Sequence, residues 1–434
     1  MNESFDVAIV GAGPAGISTA CILAESGVKT IVLERGEYPG SKNMFGGVLY
    51  GHDLAQILPD YVQKGCPVER NIVESRIWYL SEDGGYQLGY RDRAFDDELK
   101  FNAFTVGRAK FDRWFADQAA QKGALVICST VVTDLLRDGS GKVIGVRTDR
   151  PEGDLRASVV LLSDGINSPL AAKTGFRPEP KPENVALAVK ETIALPEEVI
   201  DERFNVGPGQ GVTTEILGEV TLGMNGVAFL YTNKASLSVG IGANLADFAA
   251  RRVKPYEMLE RFKAHPMVAP LIKAGKPREY LAHWLPEGGY DAIPQLCGDG
   301  FLVAGDSAML FNAPHREGSN LAMASGRLAA EAIMEALQRG DFSRRGLAGY
   351  SARLESSFVI QDLKKYRHFP GFLGRHHEIF TTLPGAAAAA AREMIRVDGV
   401  PKRRKQQSIL RNLRRRLPLL DWIRLLWDGW RAFR

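Results

Sequence analysis

Cysteine is scarce in this chain: four residues in 434, at Cys21, Cys66, Cys128 and Cys297. They lie 45, 62 and 169 residues apart, so no CxxC pair exists. That spacing argues against a zinc site, a self-contained iron–sulfur cluster and a CxxC redox disulfide. So few thiols in so long a chain fit a reducing compartment. Long apolar runs are missing too. None reaches the roughly 18 residues that span a bilayer. Met1 leads into a strand-like segment, not into a basic stretch followed by an apolar one. The seven histidines include adjacent His376 and His377 but form no HExxH pattern, so no metal site is expected. No strained nucleophile elbow is recognisable, which disfavours hydrolase chemistry.

What is present is ordinary for a globular protein: 45% hydrophobic, 24% charged and 9% aromatic residues. The length suggests two or three structural units. Glycine is in excess, 45 residues of 434, as expected where backbone turns sharply or approaches a ligand. The formal charge of +4 is uneven. Residues 401–434 hold 11 Lys and Arg against 2 Asp, a net of +9, and the other 400 residues carry a net of −5.

Phe5 to Val10 reads as a buried strand. Gly11-Ala12-Gly13-Pro14-Ala15-Gly16 follows, a helix is expected from Pro14 to Ser26, and Val28–Leu33 reads as a second parallel strand ending at Glu34. This is GxGxxG in its βαβ setting. Gly11 allows the tight turn, Gly13 lets a pyrophosphate touch backbone, and Gly16 lets helix pack on strand. The helix N-terminus, beyond Pro14, offers backbone N–H donors from Ala15 on and a positive dipole end to phosphate. Glu34, 18 residues past Gly16, is placed for the adenosine ribose hydroxyls, which disfavours NADP.

The choice between FAD and NAD rests on later segments. Phe301–Gly305 is another buried strand, followed by Asp306-Ser307-Ala308. Here the chain resembles the glutathione-reductase-like flavoproteins of the aromatic-hydroxylase and geranylgeranyl-reductase type. The resemblance implies FAD as cofactor, with Gly305 and Asp306 at the ribityl chain. It also matches Asp164 and Gly165, after the strand-like Leu161–Ser163, and Arg108 before a long helix. Arg35, Gly46, Gly47 and Val132 complete the expected contacts on this side. Gly207-Pro208-Gly209-Gln210-Gly211 is the only rival glycine cluster. It leads into β-like Val212-Thr213-Thr214, so it is read as a turn and not as a second dinucleotide site.

Three further segments narrow the resemblance: Glu34–Asn43 running into Gly46–Tyr50, Asn312–Ala322 with its HREGSNLA stretch, and Arg396–Arg403. They are similar to FixC, a flavoprotein family related to electron transfer flavoprotein–quinone oxidoreductase. The likeness covers Met1 to about Arg403. It implies electron transfer from a FixAB-type electron transfer flavoprotein to quinone. That is the exergonic branch of an NADH-oxidising, electron-bifurcating system that also reduces ferredoxin or flavodoxin, typically for nitrogen fixation. The larger quinone oxidoreductases carry a C-terminal four-iron cluster domain whose cysteines this chain lacks. A separate FixX-type ferredoxin-like subunit is therefore expected to supply the cluster.

Around the flavin, Gly318 to Ala336 is expected to be a helix, with Leu321, Ala324, Leu328, Ala332 and Ala336 on one face. Its start, Gly318, Ser319 and Asn320, is expected at the flavin pyrimidine edge, where the dipole favours the anionic reduced ring. His315 and Arg316 are the catalytic candidates, as proton donor to quinone and electrostatic partner of reduced flavin. The competing reading for both is loop hydrogen bonding and a salt bridge with Glu317.

The expected architecture is α/β: a discontinuous, glutathione-reductase-like FAD-binding Rossmann domain (1–75, 105–177 and 294–345). A mostly antiparallel quinone or substrate domain is inserted in it (76–104 and 178–293). A C-terminal helical region (346–400) and a basic amphipathic tail (401–434) follow. The PEPKP stretch at 178–182 reads as a linker, and 258–274 as a helix. In the tail, Lys402, Arg403, Arg404, Lys405, Arg411, Arg414, Arg415 and Arg416 precede Pro418. Leu419, Trp422, Ile423, Leu426, Trp430 and Phe433 then share a helical face. That combination suits an anionic membrane surface, and no nucleic-acid motif accompanies the charge. The expected location is cytoplasmic, at the inner face of the cytoplasmic membrane. Two alternatives stay open. One is a geranylgeranyl-reductase-like enzyme saturating prenyl double bonds. The other is a non-catalytic flavin-binding subunit of an electron-transfer complex.

Overall fold

An apolar segment with one buried face after another, Ser4–Val10, forms the central strand β1 of the computed structural model, which describes residues 4–42, 47–97 and 99–434. Helix α1 (Pro14–Glu25) and strand β2 (Thr30–Leu33) follow directly. β1 pairs in parallel with β2 on one side and with Asp154–Leu162 on the other. The described sheet runs Cys297–Gly298, Phe301–Val303, Asp154–Leu162, β1, β2, Leu125–Ile127. Val7, Ile9, Val32, Val159 and Leu161 are fully buried. Strands covered on both faces read as continuous apolar runs, which is why these segments lack alternation. This is the expected Rossmann-type α/β architecture.

The chain divides into two compact units. The first comprises Met1–Glu69, Asp97–Val185 and His283–Lys365; the second comprises Arg70–Asp96, Ala186–Ala282 and Tyr366–Arg434. In the first, α1 packs on the helix Ser319–Arg339, whose buried face includes Leu321, Ala324, Leu328, Ala332 and Ala336. The helix continues past Ala336 and stops where Gly340 turns left-handed (φ +63°). Gly326 allows the close approach: a Cβ there would lie 2.2 Å from the Ala15 carbonyl oxygen.

In the second unit, Val185–Ala194, Ser236–Asn244, Gly226–Thr232 and Gln210–Gly218 form antiparallel neighbours in that order. Gln210–Gly218 then runs parallel to Val68–Leu80, an exception to the expected antiparallel pattern. Val189, Ile216, Leu230 and Val239 pack with Met258, Leu259 and Phe262 in a second core. Pro208 and Gly209 form the expected turn before Gln210.

Several boundaries differ from the sequence reading. The boundary expected at 75/76 lies at Glu69/Arg70, so most of the strand Val68–Leu80, with its ladder to Gly85–Arg91 from Glu74 to Leu80, belongs to the second unit. Residues 346–365 cluster with the first unit, where the buried Tyr350 hydroxyl donates to the Val303 carbonyl at 2.8 Å. The helix expected over 258–274 is two pieces, Pro255–Lys263 and Ala269–Ile272. Pro266 between them has no N–H to continue the ladder. The tail forms two helices, Lys402–Arg416 and Leu419–Phe433, with Pro418 at the cap of the second.

Candidate functional site

The site is built at the carboxyl ends of the parallel strands in the first unit. Gly11 turns with φ +98°, and a Cβ there would lie 2.5 Å from the Ser163 carbonyl oxygen. Gly16 is equally restricted, 2.2 Å from the Gly11 carbonyl oxygen. Gly13 differs: nothing lies within 4 Å of its Cβ position. It caps α1 without a side-chain hydrogen bond, Pro14 follows inside the first turn, and no acidic residue occupies that turn. The α1 terminus therefore keeps backbone donors and open space for an anion.

Glu34 follows β2 and is buried. Its carboxylate accepts from the Ala12 N–H at 3.0 Å and the Gly36 N–H at 2.7 Å. Besides its expected place at the ribose, it thus braces the glycine turn, a role that spacing alone did not reveal. Arg35 beside it is exposed. Val132 begins an edge strand, opposite Thr148. The Thr130 N–H, just before it, donates to the Glu34 carbonyl at 2.9 Å. Gly47 is buried; Gly46 and Asn43 lie outside the described residues.

Arg108 starts the helix Arg108–Gln121 and forms two 2.9 Å hydrogen bonds with Asp112, one turn on. Both side chains are buried, so each charge depends on the other. Burial pushes the Asp112 carboxyl up, and the Arg108 guanidinium opposes it.

Asp164-Gly165 and Gly305-Asp306 meet through Ser307. Its hydroxyl donates to Asp164 Oδ1 at 3.1 Å and accepts from the Gly165 N–H at 2.8 Å. Burial pushes the Asp164 carboxyl up. It pushes Asp306 up to about 6, against the pull of Arg108 and Arg177. Arg177 was missed by the sequence reading. Its buried guanidinium donates to the Ser307 carbonyl at 3.0 Å and the Ile166 carbonyl at 2.6 Å. One side chain thereby ties the two acid-bearing loops together. A lone arginine before a proline-rich stretch carries no sequence signal for that.

Gly305 joins these loops to both helices. Its N–H donates to Ser325 Oγ at 3.0 Å, and its Cβ position lies 3.0 Å from Ala15 Cβ and 3.5 Å from Ala322 Cβ. Gly318 caps Ser319–Arg339 without a side-chain hydrogen bond. Ser319 is half-buried, and Asn320 is buried with its Oδ1 unpartnered. His315 is exposed. Arg316 donates to the Ala313 carbonyl at 2.6 Å, while its buried Nε has no partner. Glu317 accepts from Asn312 Nδ2 at 3.1 Å, and burial pushes its carboxyl up. The Arg316–Ala313 bond fits the loop hydrogen bonding of the competing reading, while no Arg316–Glu317 bridge forms among the described residues. Two further groups had no sequence signal. Burial, then Arg108 and Arg35, pushes the His283 imidazole down to about 4. Burial of Asp53 pushes its carboxyl up to about 6.

An open glycine at an uncapped helix start, a second uncapped helix start and an unpartnered buried amide suit an extended cofactor with a pyrophosphate and a polar ring edge. Comparison with known proteins agrees. Residues 6–102 match the FAD dependent oxidoreductase family, and residues 369–434 match the ETF-QO/FixC family C-terminal domain. Protein FixC of Azorhizobium caulinodans is 46% identical over 100% of this chain and 99% of its own length. Protein FixC of Escherichia coli K12 is 38% identical over 99% and 98%.

The chain belongs to the FixC family.

As a FixC family member it is an FAD-dependent oxidoreductase. Its fold is shared with a geranylgeranyl bacteriochlorophyll reductase-like protein of Thermoplasma acidophilum (TM-score 0.72, 21% identity, 96% of this chain and 97% of that one). It is also shared with the flavin-dependent brominase Bmp2 (TM-score 0.64, 16% identity, 87% and 90%). FAD supplies the electron chemistry, and the FixC chain supplies binding, placement and electrostatics.

Proposed function

We propose that this protein passes electrons from a FixAB-type electron transfer flavoprotein to quinone. The setting is an NADH-oxidising, electron-bifurcating system that also reduces ferredoxin or flavodoxin, linked to nitrogen fixation. The observation that carries this reading is the full-length match to FixC proteins. The dispersed cysteines support a FixX-type ferredoxin-like subunit as the holder of the iron–sulfur cluster. Cys21 and Cys297 are buried, and burial pushes the Cys21 and Cys66 thiols up to about 12.

In this proposal the pyrophosphate of FAD lies on Gly11, Gly13, Pro14, Ala15 and Gly16, and the adenosine lies near Glu34, Arg35 and Val132. Arg108, Asp164, Gly165, Gly305 and Asp306 hold the middle of the cofactor. Gly47, Gly318, Ser319 and Asn320 would surround the flavin ring. His315, exposed, takes the proton-donor role toward quinone, and the unpartnered Nε of Arg316 offers a donor and a positive charge to reduced flavin.

The tail adds a membrane-facing element. Among the described residues no helix is long and apolar enough to cross a membrane. Leu419–Phe433 nevertheless exposes Leu419, Ile423, Leu426, Trp427 and Trp430 beside a helix rich in exposed arginine. Large apolar residues next to basic charge support peripheral attachment to the inner face of the cytoplasmic membrane.

The test is co-purification of the tagged full chain with the two flavoprotein subunits and the ferredoxin-like subunit, followed by addition of NADH and a soluble quinone. Quinol formation dependent on this chain supports the proposal. A stable complex that reduces no quinone contradicts it.

A further inference from the structure

The C-terminal helix Leu419–Phe433 has two unlike faces. Leu425, Gly429 and Ala432 repeat at helical spacing on one side. Leu425 and Ala432 are buried, and the Cβ position of Gly429 lies 3.6 Å from the Phe372 ring. Phe433 meets the Phe369 ring edge-on at 5.4 Å. On the other side Leu419, Leu420, Ile423, Leu426, Trp427 and Trp430 are exposed. The helix therefore rests on Phe369–Arg375 through a narrow seam and leaves the larger apolar stripe uncovered.

One buried polar group bridges this seam. His376 is 6% exposed. Its Nδ1 lies 2.6 Å from Glu378 Oε1, and its Nε2 lies 3.1 Å from Asp428 Oδ2 on the C-terminal helix. Arg375 Nε lies 3.4 Å from the same Asp428 oxygen. An ionised carboxylate only accepts, so both ring nitrogens must donate, which only the doubly protonated ring can do. Losing either ring proton leaves one carboxylate facing a lone pair across a buried contact.

We propose that His376, bonded between Glu378 and Asp428, is a proton-dependent pin that seats the C-terminal helix with its apolar stripe outward, toward an anionic phospholipid surface. The choice of occupant rests on the membrane reading above and on charge complementarity. The adjoining helix Lys402–Arg416 exposes Arg403, Arg404, Arg411, Arg414, Arg415 and Arg416. Its Lys405 is instead buried, donating to Asp398 at 2.7 Å and to the Arg396 carbonyl at 2.6 Å. Both helices are thus held by part-buried bonds, and the basic helix directly precedes the apolar stripe in the chain.

The charged and titratable groups at the pin are Glu378, Asp428, Arg375 and the neighbouring His377. The His376 hydrogen bond holds the Asp428 carboxyl below its usual range. Asp428 therefore contributes above the ordinary carboxylate pKa and its contribution is lost as pH falls through the lowered value.

The test is amide hydrogen exchange of Leu419–Phe433 in the full-length holoprotein, without lipid, across about pH 5 to 8, the range in which imidazole titrates. Rates are corrected for the intrinsic pH dependence of exchange. Wild type should lose protection about tenfold or more as pH rises, and His376→Gln should give a flat profile. Asp428→Asn, which keeps a polar side chain at the seam, should also be flat. A pH-independent wild type, or a His376→Gln profile equal to it, overturns the pin. Vesicles of phosphatidylcholine with phosphatidylglycerol form the second arm. Wild-type binding should weaken in step with protection. A titrating helix that binds no vesicle at any pH overturns the lipid occupant while leaving the pin standing.

Discussion

The Thr19 hydroxyl donates to the Gly326 carbonyl at 2.7 Å across 307 residues of sequence. That bond locks the helix following the glycine turn to the helix following the HREGSN segment. Ser325, one residue earlier, holds the Gly305 N–H. Three motifs far apart in the chain therefore converge through one helix pair. The geometry of the cofactor site depends on how closely those helices approach.

Gly326→Ala tests the approach directly. Its Cβ would meet the Ala15 backbone, which cannot swing aside as a side chain would. The expected cost is about 1–3 kcal/mol, together with a lower FAD-to-protein ratio after purification. Thermal unfolding and the flavin absorbance ratio measure both. Unchanged stability with full FAD loading would count against a contact-limited site.

Asp112→Asn tests the buried ion pair. It leaves the Arg108 charge in place without its partner. Breaking a buried pair in this way costs about 3–5 kcal/mol, which urea unfolding would register as a lower midpoint. A loss below about 1 kcal/mol would place the pair among solvent-screened surface bridges.

Most of the sheet and the glycine turn were legible in the sequence because their signals are local. Phe5–Val10 is a short apolar run, and Gly11 and Gly13 after it and Gly16 in the next helix sit at fixed spacing. The helix bearing Leu321 and Leu328 was legible from periodicity. The bonds of Arg177 to the Ser307 and Ile166 carbonyls were not, since they join loops separated by more than a hundred residues. The break before Ala269 was underweighted at Pro266. The boundary expected at 75/76 differs from the one at Glu69/Arg70 because Val68–Leu80 is one continuous strand and composition does not change along it. His376 was noted as one of a histidine pair, but Asp428 had no visible connection to it.

Asp53 gives a pH dependence of defined sign. Burial pushes its carboxyl up to about 6 in the folded chain. Its folded-state pKa lies above the unfolded value, so its contribution is greatest below the unfolded pKa and falls as pH rises through about 6. Asp53→Asn removes that dependence. The variant should gain on wild type between about pH 4 and pH 8, by at most about 3 kcal/mol. Urea midpoints at the two pH values measure it. An equal difference at both would show that Asp53 titrates normally.

The outer stripe of the C-terminal helix predicts a membrane phenotype separable from folding. Trp427→Glu with Trp430→Glu replaces two exposed rings and leaves the buried Leu425 seam intact. Binding to anionic vesicles should fall at least about tenfold, with thermal stability unchanged. Retained binding would move the attachment to another surface.

The most direct test of the central claim is NADH oxidation by the reconstituted assembly: this chain loaded with FAD, the two electron transfer flavoprotein subunits and the ferredoxin-like subunit. Ferredoxin and a quinone serve as acceptors. The account predicts that quinol and reduced ferredoxin form together and that both stop when this chain is omitted. Quinol formation that persists without it would contradict the account. So would a preparation that forms no quinol but adds two hydrogens to a prenyl chain.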